Sequence, residues 1–74
     1  MKPMKYLVVI EKGPTGFGAY VPDLPGCVAV ADTEDEVRQL IREAIDLHIE
    51  DLRGGGQAVP APSSASEYVE ADIA

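Results

Sequence analysis

A chain of 74 residues, 46% hydrophobic and 26% charged, has the composition of one ordinary globular domain and lies outside the disordered class. So short a chain buries only about 60% of the surface that its unfolded form exposes. With a single cysteine and a single histidine it has no disulfide or zinc framework to compensate, and thirteen acids against six bases give a formal charge of −7, which disfavours autonomous DNA or RNA binding and favours a basic partner.

The chain opens on Met4-Lys5-Tyr6-Leu7-Val8-Val9-Ile10-Glu11, rich in β-branched and aromatic residues, which predicts a strand over about 4–11. Gly13-Pro14-Thr15-Gly16 supplies a turn, and the glycines around it lead into a strand, where a phosphate-binding loop would lead into a helix. Extended character resumes over 17–21 and stops at Pro22-Asp23-Leu24-Pro25-Gly26, because proline cannot continue a ladder. Cys27-Val28-Ala29-Val30-Ala31 is a third short apolar run, and three strands at this spacing suggest an antiparallel meander.

At Thr33 the pattern changes. Thr33 followed by Glu36 is a capping box, and the acids at 34–36 suit the positive end of a helix dipole. Val37, Leu40, Ile41, Ala44, Ile45, His48 and Leu52 recur at three- and four-residue intervals as the core face of a helix over about 34–53, which the glycines at 54–56 end. Residues 54–66 have loop composition, and the alternation in 67–73 predicts a fourth strand. The expected fold is a single α+β domain spanning 1–74, of order β-β-β-α-β. The right-handed crossover rule places the fourth strand parallel to the first, giving sheet order 3-2-1-4 with the helix on one face.

Both alternating sets of the first strand are apolar, so it needs cover on two faces while one helix covers one. The uncovered face, carrying Leu7 and Val9 with Tyr20, Val28 and Val30 according to register, is expected to self-associate into a dimer or tetramer. Glu43, Asp46 and Glu50 lie on the helix away from the core and suit steering of a basic partner. The rigid turn can present Asp23 and Leu24 to it. No residue is assigned a catalytic, metal-binding or cofactor-binding role. Cys27 falls in an apolar strand, His48 in the helix stripe, and the first strand has no central acid for a two-metal site. The apolar run at 6–10 falls far short of the roughly 20 residues of a membrane span. Met1-Lys2-Pro3-Met4-Lys5 does not open a signal peptide, so the cytosol is the expected location.

Tyr20-Val21-Pro22-Asp23-Leu24-Pro25-Gly26-Cys27, followed by Ala31-Asp32-Thr33, then Glu43-Ala44-Ile45 and Leu47-His48-Ile49-Glu50 on the helix, and Val59-Pro60-Ala61-Pro62-Ser63, resembles the HicB family of antitoxins over nearly the whole chain. The resemblance implies a partial RNase H fold without its catalysis, and a partner that is a small basic, HicA-like toxin cleaving mRNA. Relatives of this kind usually add a C-terminal DNA-binding module. The 74 residues leave no room for one, so toxin neutralisation without operator binding is expected. Two other readings stay open: an orphan homo-oligomeric scaffold with no toxin, and a metal-dependent nuclease. Abundant alanine, glycine, proline and valine suit a GC-rich bacterial genome.

Overall fold

A computed structural model of the chain describes residues 4–73. Three strands, β1 (Val9–Lys12), β2 (Phe17–Tyr20) and β3 (Val28–Ala31), precede one helix, α1 (Glu34–Gly54). The strands form the predicted antiparallel meander in the order β1-β2-β3. Val9 pairs with Tyr20 and Tyr20 with Val28, while Ile10 pairs with Ala19 and Ala19 with Ala29.

Each connection follows from local chemistry. The Gly13 amide donates to the Gly16 carbonyl at 2.7 Å, closing the first hairpin. A Cβ on Gly16 would stand 2.6 Å from the Ala31 carbonyl oxygen, so the hairpin closes against β3 only with glycine there. Between β2 and β3 lie two consecutive turns. Leu24 N–H donates to the Val21 carbonyl and Cys27 N–H to the Leu24 carbonyl, both at 3.0 Å. In the second turn Pro25 precedes Gly26, whose φ of 85° belongs to the left-handed region, the type II arrangement.

Thr33 caps α1 by accepting the Glu36 amide at 3.1 Å, the threonine half of the capping box. The helix exit is a full Schellman motif: Gly56, with φ of 72°, donates to Arg53 and Gln57 donates to Leu52. An exposed Glu34–Arg38 ion pair one turn apart decorates the first turn.

The core is small and consists of Ala19, Val21, Leu24, Cys27, Val37 and Ile41. Helix α1 lies over β3 and β2 rather than β1, so Tyr6, Val8 and Ile10 pack against this core while staying only partly buried.

Two expectations are corrected. The first strand is shorter than 4–11, beginning at Val9, because β2 ends at Tyr20 and the Pro22 turn leaves residues 4–8 without a ladder partner. Residues 67–73 form no strand, and the 3-2-1-4 sheet is absent. The Asp23 carboxylate holds Ser63 and Ser64 at the β2–β3 connection, and the chain beyond leaves the sheet, with Tyr68, Val69 and Ile73 exposed.

Candidate protein-interaction surfaces

The register settles which side chains share the sheet face turned away from α1. Val9, Tyr20 and Val28 form one row across all three strands, and Gly18 opposite Val30 continues it. Of the residues expected to self-associate, Val9, Tyr20, Val28 and Val30 fall on a single face, since alternate residues of a strand share a side, whereas Leu7 precedes β1 and lies outside its register. Val28 and Val30 are 64% and 78% exposed, an unusual state for adjacent valines in a strand. Their helix-side neighbours Ala29 and Ala31 are small, which lets α1 approach the sheet closely on the other side.

A second surface lies on α1. Glu43, Asp46 and Glu50 are exposed, as the helical period requires of positions off the core stripe. Leu40 and Leu47 stand among them, 41% and 62% exposed. Leu40 was expected in the core. The helix is rotated so that Val37 and Ile41 meet the sheet instead, and Leu40 comes to the rim. Spacings of three and four residues line up Leu40, Glu43, Leu47 and Glu50, giving two leucines bracketed by carboxylates. The sequence signal for this stripe was Leu47, an apolar residue outside the predicted core face.

The turn between β2 and β3 is turned inward. Leu24 is fully buried at the centre of the core, so it is not available to a partner, contrary to expectation. Tucking it under the sheet is what the two successive turns accomplish. Asp23 is engaged within the chain: Oδ2 accepts the amides of Ser63 and Ser64, both at 2.9 Å, and Oδ1 accepts their hydroxyls at 3.1 and 2.7 Å. The Ser64 and then the Ser63 amides, followed by the Ser64 hydroxyl, stabilise the ionised carboxylate and lower its pKa from 3.8 to about 2. Beside this clamp the Tyr6 hydroxyl donates to the Pro60 carbonyl. The proline-aspartate turn therefore fastens the segment after the helix to the sheet.

Cys27 is buried in the core, and desolvation raises its thiol pKa, which disfavours the nucleophilic thiolate. His48 is half-buried on α1. Among the described residues no group of three or more histidine, cysteine, aspartate or glutamate side chains is placed to hold a metal ion. Among the described residues no helix is long and apolar enough to cross a membrane. A shallow groove of about 600 Å³ runs between the β1–β2 hairpin and the start of α1, bordered by Thr15, Phe17, Val30, Glu36 and Leu40.

Comparison with known proteins gives a consistent result. The model of a HicB-like antitoxin of bacterial toxin-antitoxin systems matches residues 6–72. An uncharacterised 14.9 kDa protein of Haemophilus phage HP1 is 35% identical over 66 residues, covering 89% of this chain and 50% of the phage protein. The antitoxin HicB 2 of Photorhabdus laumondii is 32% identical over 74 residues, covering 93% of this chain and 50% of its own. The chain thus spans half the length of each of these two relatives. A chain of the solved HicA3 and HicB3 toxin-antitoxin complex superposes with a TM-score of 0.70 at 33% identity, over 81% of this chain and 70% of that one. A family match across almost the whole chain shows that this protein belongs to the HicB-like antitoxin family.

Proposed function

We propose that the chain binds and neutralises a small, basic, mRNA-cleaving toxin of the HicA kind, acting by occlusion and without catalysis of its own. The observation that carries this reading is the likeness to a chain of a HicA3 and HicB3 complex, in fold and at 33% identity. The α1 stripe supplies the chemistry. Glu43, Asp46 and Glu50 attract a basic surface and orient it, while Leu40 and Leu47 offer apolar area whose burial stabilises the complex once water is displaced, by about 1.5–3 kcal/mol for each leucine fully covered. The sheet face of Val9, Tyr20, Val28 and Val30, with Leu7 just before β1, joins copies of the chain, leaving α1 on the opposite side free for the toxin. Binding takes place in the cytosol and involves no direct contact with DNA or RNA.

The test is a low-salt pull-down of the tagged chain from its own host, followed by an RNA-cleavage assay of any small basic protein that co-elutes, with and without the chain. Suppressed cleavage in a stoichiometric complex is the expected result. Replacing Glu43, Asp46 and Glu50 together by lysine is expected to abolish the complex while the helical circular dichroism is retained, and unchanged affinity would remove those residues from the interface. Recovery of the oligomer alone would favour the orphan scaffold.

A further inference from the structure

We propose that residues 67–73 of one copy add as a strand to the free edge of β1 in a second copy. Two unsatisfied features complement each other here. The first is the segment itself. It alternates Tyr68, Glu70 and Asp72 with Val69, Ala71 and Ile73, as a strand does, yet lies in no ladder. Its large apolar side chains are immersed in water: Tyr68 is fully exposed and Ile73 93% exposed. The radius of gyration is 14.5 Å and the longest dimension 52 Å, against about 11 Å for the radius of a compact chain of this length, so part of the molecule stands away from the body. The family match nevertheless runs to residue 72, which makes the segment part of the shared domain.

The second feature is β1. It has a neighbour on one side only, and its other side presents a row of unpaired backbone amides and carbonyls. The helix lies over β2 and β3, so the β1 margin of the core, at Val8 and Ile10, is incompletely covered. Charge matches the two. Lys12 ends β1 and Lys5 lies four residues ahead of it, with Glu11 the one acid of the strand, whereas 67–73 carries Glu67, Glu70 and Asp72 and no base. Lys5 and Lys12 are both exposed.

Asp23 fixes Ser63 and Ser64 at the β2–β3 connection, and beyond them residues 67–73 pair with no strand of their own sheet, β1 included, which leaves the β1 edge of a second copy as their partner in this proposal. From Ser64 to Ile73 the extended chain reaches about 30 Å, enough to cross to a neighbour and run the length of a strand. A two-fold exchange satisfies both edges at once, each copy donating one segment and accepting one. This exchange rests on the β1 edge and not on toxin engagement, so either reading can fail alone.

The test is hydrogen exchange of the full chain, residue by residue, over a dilution series whose oligomeric state is read by native mass spectrometry. The expected result is that amides of 68–72 and the outward amides of β1 are protected in the dimer and lose protection together as it dissociates. Val69→Pro, which removes a ladder donor at an exposed site, is expected to raise the dimer dissociation constant at least tenfold with the helical signal unchanged. In a mixture of ¹⁵N- and ¹³C-labelled chains, cross-peaks between 67–73 and β1 are expected between unlike copies. Protection independent of concentration would place the strand on its own sheet and overturn the proposal. So would a dimer whose 68–72 amides exchange at unfolded rates, or protection that arises only with a basic partner.

Discussion

Leu24→Ala separates a core role from a partner-contact role for the turn between β2 and β3. Leu24 and Val37 are the largest fully buried side chains, so Leu24 accounts for much of a six-residue core. Truncation removes three carbons, a transfer loss of roughly 2.4 kcal/mol at about 0.8 kcal/mol per buried methylene. The cavity left behind brings the expected cost to about 3–5 kcal/mol, because turns anchored at Val21 and Cys27 cannot collapse into it. A single core of this size rarely supplies more than about 3–5 kcal/mol in total. The variant should therefore be largely unfolded near room temperature. Urea unfolding at one fixed protein concentration, followed by far-ultraviolet circular dichroism because the chain has no tryptophan, measures the difference. Leu47→Ala, at an exposed position, is the control and is expected within about 0.5 kcal/mol of the parent. A Leu24→Ala loss below about 1 kcal/mol, at an unchanged denaturant slope, would refute the inward turn and return Leu24 to the surface.

Asp23 gives a pH signature. Its folded pKa of about 2 lies below the ordinary 3.8, so the stabilisation it brings is fully present above about pH 4 and is lost as the pH falls through about 2. The Ser63 and Ser64 amide resonances should titrate with that low midpoint, and Asp23→Asn should loosen both amides at neutral pH while leaving α1 intact. Gly26→Ala places a side chain at a φ of 85° and is expected to cost about 1 kcal/mol, measured by the same urea midpoint. Thr33→Ala removes the acceptor of the Glu36 amide, for about 1 kcal/mol and faster exchange of the first-turn amides. Replacing Val28 and Val30 together by lysine should lower the oligomeric state seen by light scattering with little change in monomer stability, since both side chains are exposed.

What the sequence alone determined is what short-range physics controls. Proline and glycine placed both strand connections, the threonine–glutamate spacing placed the start of α1, and the 54–56 glycines placed its end within a residue, because a turn or a cap is decided by the few residues that form it. The motif from Tyr20 to Cys27 carried the family. Tertiary structure alone decided three other matters. Leu24, in a polar-looking turn, is the centre of the core because the two turns fold it under the sheet. Leu40 is at the rim because the rotation of α1 is set by its fit to Ala19, Ala29 and Ala31, which helical period does not specify. Residues 67–73 have strand alternation and form no strand. Alternation describes a segment's two faces, whereas a strand exists only where a neighbouring backbone is present to pair with it, and residues 67–73 pair with none in their own sheet.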